Sequence, residues 1–310
     1  MQGIKSDQPF GIFVGGGLTV MPTDVLLVYK KTFEAVHDEA LDSLSQVLDA
    51  KVEGGEVRLD MVAREQVCRA DFIGRDLVIV LGGDGTLTSI SHNIDSTTPV
   101  MGVNSHPREM DPDGSFGFFM DSEVSTFREN LEAVLNGEAI ENALPRLQAT
   151  ITSTSGNRIV SDPALNDLLI ANTHQYAPSK YRVQRGDMDL KQLSSGILFS
   201  TFVGQGAWFR HIANIEGIKF APTEIDSHYL VVSRDLNRAE RELHQEAHIA
   251  WTSETTVVIS DMHRGYVVPD GWDEYHFNRG ASISVNLNGP KLNLLTFNGK
   301  ITDKMAHLIQ

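Results

Sequence analysis

One cysteine, Cys68, in 310 residues leaves no partner for an intrachain disulfide and no thiolate set for a metal cluster. Long apolar runs are missing too, none approaching the roughly 18 residues of a membrane span. The N-terminal MQGIKSDQPFGIFVGGGLTVM has one Lys and no Arg around its short apolar patch, unlike a secretory signal or an Arg-rich transit peptide. The cytoplasm is the expected compartment. Basic residues are scarce: 26 Lys and Arg against 41 Asp and Glu give a net charge of −15, and no basic cluster rises above it. Long-range attraction to nucleic acid or to an anionic membrane is thereby excluded. Internal repeats and low-complexity tracts are absent, which sets solenoids and propellers aside.

What is present is an ordinary globular balance, 41% hydrophobic and 22% charged, in a chain long enough for two domains. The chain is organised around Leu77 to Ile94, LVIVLGGDGTLTSISHNI. Five aliphatics, Leu77 to Leu81, suit a parallel strand buried on both faces. Gly82, Gly83 and Gly85 then remove the Cβ atoms that would hold a ligand away, so that backbone N–H groups, with Thr86, can meet a phosphate at the start of a helix. Asp84 sits among them. A carboxylate beside a phosphate is costly unless it holds Mg²⁺ or takes a proton from an attacking hydroxyl. That pattern points to phosphoryl transfer.

Before this stretch, Asp24 to Lys30 reads as a strand, and Phe33, Val36, Ala40, Leu44, Val47 and Leu48 follow at helical spacing. Glu56 to Val62 and Pro99 to Val103 read as further strands, with a short helical or turn segment at Val67 to Phe72. Ser122 is placed to cap a helix through Leu135 that stops at Asn136-Gly137. Strands alternating with helices predict a doubly wound α/β parallel-sheet domain over residues 1–138. Beyond Pro145 the runs are short and β-type, at 147–153, 165–172, 181–184, 196–203, 229–233, 255–260 and 281–287, with Gly, Asn, Asp and Pro between them. A β-rich domain over 139–290 is expected. His244 and His248 stand four apart on an expected helix, 238–251, but no third ligand accompanies them, and no transition metal is assigned.

Several motifs share one resemblance. GGDGT resembles the signature of NAD kinases, of diacylglycerol- and sphingosine-type lipid kinases and, in a variant form, of phosphofructokinases. Gly102-Val103-Asn104, then Gly117-Phe118-Phe119 after a Pro-, Asp- and Gly-rich loop, looks like the GxN…GF pattern of NAD kinases. Asn166-Asp167 stands where that family has Asn-Glu, one methylene longer. Ser194 to Trp208, SSGILFSTFVGQGAW, is similar to the family's DGxxxSTPTGSTAY and closer to its mitochondrial-type branch. Val203, Gln205 and Gly206 depart from both versions. Thr88 to Ser91 lacks the Asn-Glu of lipid kinases, and no second Asp-rich segment of the phosphofructokinase type is present. The resemblance selects NAD kinase.

It implies an NAD kinase/diacylglycerol kinase-like fold and transfer of the γ-phosphoryl group of ATP, with Mg²⁺, to the adenosine 2′-hydroxyl of NAD. Asp84 would be the catalytic base, and Gly82, Gly83, Gly85 and Thr86 would bind phosphate. Substrate contacts would come from Asn104, Phe118, Asn166, Asp167, Ser195, Thr201, Gly206, Ala207 and Trp208. The resemblance also implies a homodimer or homotetramer and a C-terminal segment, 291–310, that returns to the first domain. Two alternatives stay open: a non-catalytic dinucleotide-binding sensor, motivated by the altered 203–206 turn, and a GGDGT kinase for another small hydroxylic or lipid substrate.

Overall fold

The computed structural model describes residues 21–31, 34–212, 224–243 and 248–309. Strand β1 (Thr23–Tyr29), helix α1 (Ala35–Glu53) and strand β2 (Val57–Ala63) open the chain. Strand β3 (Leu77–Gly82), helix α2 (Asp84–Ser91) and strand β4 (Pro99–Asn104) follow, and all six residues of β3 are buried. The four strands are parallel in the order β2, β1, β3, β4.

Alternation across the pleat sends successive side chains to opposite faces. Val25, Leu27, Leu77, Ile79 and Met101 meet Ala40, Leu44 and Leu48 of α1. Leu26, Val28, Val78, Val80 and Val100 meet Leu87 and Ile90 of α2. Helix α2 is buried from Thr86 to Ser91 despite its hydroxyl residues. Their groups turn back on the helix: Thr88 Oγ1 donates to Asp84 O (2.7 Å), Ser89 Oγ to Thr86 O (2.7 Å) and Ser91 Oγ to Thr88 O (3.1 Å).

The second half forms two packed sheets, and one of them continues the first. The long strand Ser282–Thr296 pairs in parallel with β4 through Asn293 to Leu295 and antiparallel with Thr256–Ser260 at its other end. Ile140–Thr152 runs antiparallel along nearly its whole length. Eleven strands thus share one sheet, and a second, six-stranded sheet faces it. Leu168, Ile170, Phe199 and Val231 of the smaller sheet pack on Ala149, Val183, Val258 and Ile283 of the larger. The α/β and β-rich architecture agrees with the sequence reading.

Three local expectations are corrected. Ser122 caps nothing, because Ser122–Glu123 forms a short strand beside β4; helix α3 (Phe127–Leu135) starts five residues later, and Ser122 Oγ accepts from Asn130 Nδ2 (3.0 Å). The end of the stretch read as a helix to Trp251 is instead the strand Ile249–Thr252, paired with Tyr229–Val232. The run at 281–287 does not stop there: it opens one strand, Ser282–Thr296, that continues through Asn288-Gly289-Pro290 with register shifts at Gly289. Phe33 and His244 lie outside the described residues. No described helix is long and apolar enough to cross a membrane.

Candidate functional site

The glycine turn closes β3, and Gly83 is the N-cap of α2. Two of its glycines are demanded by the protein's own packing: a Cβ on Gly82 would stand 2.3 Å from Thr86 Oγ1, and one on Gly83 2.8 Å from Ser115 Oγ. Only Gly85 opens outward, with nothing within 4 Å of its Cβ position. Thr86 is buried, and its hydroxyl accepts from Gly83 N (3.4 Å).

Asp84, on the first turn of α2, is held from outside the helix. Its Oδ1 accepts from Phe119 N (2.8 Å), and its Oδ2 accepts from Phe118 N (3.0 Å) and Ser115 Oγ (3.3 Å). Ser115 Oγ accepts in turn from Asp84 N (3.1 Å). The GF segment therefore faces the turn through its amides, while the Phe118 ring enters the core beneath it. Asn104, also buried, supports the same loop: Oδ1 accepts from His106 N (3.2 Å) and Nδ2 donates to Ser115 O (3.3 Å). Ser115 carries no signature of its own in the sequence.

Across this core the second half supplies Asn166 and Asp167. Leu165, Phe202 and Val203 pack in the same cluster as Leu87, Phe118 and Phe119, so the two halves of the site flank one apolar floor. Asn166 Oδ1 is buried and meets no donor. Asp167 is 7% exposed, and burial, reinforced by the charge of Asp270, pushes its carboxyl up to about 7. Asp270 comes from the PDG turn, whose φ of 49° lies in the left-handed region. Its carboxylate gathers the amides of Leu165 (2.6 Å), Asn166 (2.7 Å) and Asp167 (3.0 Å). Burial raises Asp270 to about 6, against the pull of those three amides and of Arg146. In the sequence Asp270-Gly271 is an ordinary turn dipeptide, and the role of its Asp is not legible there.

The remaining residues divide. Thr201 is fully buried, its hydroxyl donating to Leu165 O (2.7 Å) and accepting from Gly204 N (3.0 Å). It braces the Asn166 segment and faces no cleft. Gly204 must lack a side chain, since a Cβ would stand 2.1 Å from Asn166 O. Gln205 is buried, with Nε2 donating to Phe202 O (3.0 Å) and Oε1 meeting no donor. Gly206 is exposed and Ala207 half-buried. Trp208 is exposed, with the Arg234 guanidinium 5.1 Å above its ring. Ser195, also exposed, donates its N–H to Arg234 O (3.0 Å). It sits at the opposite end of the strand Ile197–Ser200 from Thr201, roughly 20 Å away along an extended chain. The structure thus joins Ser195 and Trp208 at Arg234.

A cleft of about 820 Å³ lies by the start of α1 and the 105–113 loop. It is lined by Asn104 but by neither Asp84 nor Asn166, so the turn and its surroundings define the candidate site, not the cavity.

Residues 27–139 match the sequence model of the ATP-NAD kinase N-terminal domain. Over these residues the chain is similar to the N-terminal domain of ATP-NAD kinases. Among similar proteins, the NAD kinase of Clostridium kluyveri is 31% identical over 140 residues, 43% of this chain and 44% of that protein. The NADH kinase of Arabidopsis thaliana is 26% identical over 160 residues, 48% and 49% of the two chains. The chain's match thus spans about half the length of these NAD and NADH kinases. In three dimensions, yeast NADH kinase complexed with NADH superposes with a TM-score of 0.71 at 14% identity, covering 92% of this chain and 87% of that one. An NAD kinase from Archaeoglobus fulgidus in complex with ATP gives 0.68 at 14%, covering 93% and 97%. At that identity the likeness establishes the NAD kinase fold over both halves.

Proposed function

We propose that the chain is an NAD kinase: the 2′-oxygen of the adenosine ribose of NAD attacks the γ-phosphorus of ATP, the bond to the β-phosphate oxygen breaks, and NADP and ADP leave. The proton of the 2′-hydroxyl passes to the Asp84 carboxylate and on to water. ATP enters as its magnesium complex, the ion held chiefly by phosphate oxygens and water. The observation that carries this reading is the fixed Asp84 carboxylate beside Gly85, on a buried strand end at the N-terminus of α2. The helix dipole there and the open backbone at Gly85 suit a phosphate. Across the apolar floor, the unpaired Asn166 Oδ1 is an acceptor suited to a ribose hydroxyl, and Asp167, near neutrality, can donate or accept. The resemblance adds assembly as a homodimer or homotetramer.

The test is incubation with ATP, Mg²⁺ and NAD, and in parallel NADH, with phosphorylated product read by an NADP-specific dehydrogenase. Asn166→Ala should weaken NAD binding about ten- to a hundredfold with the melting curve preserved. Unchanged NAD affinity, or a loss confined to ATP, removes the pair from the dinucleotide site. One observation favours a second reading, a dinucleotide-binding sensor: both Asp84 oxygens already accept protein hydrogen bonds. Saturable NAD binding with no NADP formed would establish that reading and end the first.

A further inference from the structure

Behind the candidate site, three side chains converge from separate segments. His92 is the C-cap of α2, Asp162 lies between the strands Arg158–Val160 and Asp167–Asn172, and Asp273 lies between the strands Arg264–Pro269 and Tyr275–Asn278. One ligand atom from each lies within 4.8 Å of the other two. The same residues, with Pro163, Pro269, Asp270 and Trp272, line a cavity of about 10 Å³. That is room for one water-sized particle.

The surroundings prepare these groups as ligands. Tyr275 Oη donates to Asp162 Oδ2 (2.8 Å) and accepts from Asp162 N (3.0 Å), which fixes the carboxylate and leaves Oδ1 free of that contact. Such outer partners orient metal ligands. Burial lowers the pKa of His92, which favours the neutral ring that binds metals. Asn93 Nδ2 lies 3.0 Å from His92 Nε2; with the amide turned so that its oxygen accepts from Nε2–H, Nδ1 keeps the lone pair that an ion needs. Two carboxylates facing one void repel each other, and the C-terminal end of a helix favours positive charge. The Arg146 guanidinium cannot enter the void as counter-charge, because the carbonyls of Ser91, Ile94, Pro290 and Lys291 hold it.

From this cluster and its cavity we infer that His92, Asp162 and Asp273 form a binding site for one first-row divalent cation, zinc or manganese, which clips the end of α2 to the turn that carries Asp270. One imidazole with two carboxylates suits those ions; calcium takes six to eight oxygens, and magnesium keeps most of its water. The remaining gap closes by rotation of Asp273, the exposed member. Because α2 begins at Asp84 and Asp270 holds the amides of residues 165–167, the ion would fasten both halves of the candidate site from behind.

The test uses the full chain, stripped with a chelator and titrated with Zn²⁺ or Mn²⁺ alone, without nucleotide, so its outcome is independent of the kinase reading. Calorimetry should show one ion per chain, with a melting temperature that rises to a plateau and a much smaller response to Mg²⁺. Asp273→Asn, at an exposed position that leaves the fold intact, and Asp162→Asn should each weaken binding at least tenfold. A second cluster, Glu34, His37 and His106, is the obvious competitor, and His106→Gln should leave binding unchanged. Absence of saturable binding, binding indifferent to Asp273→Asn, or binding lost in His106→Gln would each overturn the assignment.

Discussion

Asp84 shows how a carboxylate can be a structural acceptor and a candidate base at once. Its oxygens order the 118–119 backbone, so Asp84→Asn does more than remove basicity: the new amide group faces N–H donors. Turnover should fall roughly 10²- to 10⁴-fold, with a stability loss of about 1 to 3 kcal/mol visible as a lower melting temperature. Wild-type turnover in that variant would remove Asp84 from the chemistry. The Asp167 and Asp270 pair makes a different prediction. Both carboxyls are raised by burial, from 3.8 to about 7 and about 6. A raised acid adds stability that is fully present below its unfolded value and is lost as pH rises through the folded one. This pair should therefore destabilise the fold progressively between about pH 4 and pH 7. Urea melts across that range should show the decline, and Asp167→Asn should flatten it; an identical slope in the variant would refute the account.

At the scale of an element, the short helix α2 is held at both ends by distant groups. Its first residue is tied to Phe118 and Phe119, and its last residue, with the turn that follows, to Arg146, which has no exposed surface. Nη1 donates to Ser91 O (2.6 Å) and Nη2 to Ile94 O (3.0 Å), while Nε reaches Pro290 O in the bulge of the long strand. An eight-residue helix is marginal alone, so this anchorage fixes where its N-terminus points. Arg146→Met keeps most of the apolar volume and leaves several buried carbonyls unpaired. It should cost about 3 kcal/mol or more. Arg146→Lys should recover little, because one ammonium cannot span carbonyls that the planar guanidinium bridges. Chemical denaturation of both variants is the measurement, and near-native stability in Arg146→Met would show that the carbonyls find water instead.

Across the whole molecule, the chain end stitches the halves together. Asp121 Oδ1 pairs with Lys304, its Oδ2 accepts from Asn298 N (3.0 Å), and Asn142 Oδ1 accepts from Ile301 N (3.0 Å). Ile301 and Met305 fill the core shared by Leu87, Phe118 and Phe202. Deleting residues 299–310 should therefore cost up to about 3 to 6 kcal/mol of apolar burial and lower the melting temperature. An unchanged melting curve would show that the segment contributes nothing to that core. The sequence by itself determined the parallel strands and the α/β class, because Val25 to Val28 and Leu77 to Leu81 are local aliphatic runs whose meaning needs no partner. It also marked the turn at Gly82 to Thr86 and the Asn166-Asp167 pair, since glycines and poor strand formers stand out against such runs. The strand Met188–Ser194 escaped notice because its pattern inverts part-way: Gln192 and Ser194 are buried while Leu193 is exposed. The strand Ile249–Thr252 lay hidden behind a charged helical pattern. Only the tertiary structure decided which groups hold the site. Asp84 meets amides more than 30 residues away, Asp270 gathers amides more than 100 residues away, and Arg146 crosses to α2 and to the long strand. Such bonds follow from the closing of two sheets over one core, and no local pattern of residue types encodes a partner chosen at that distance.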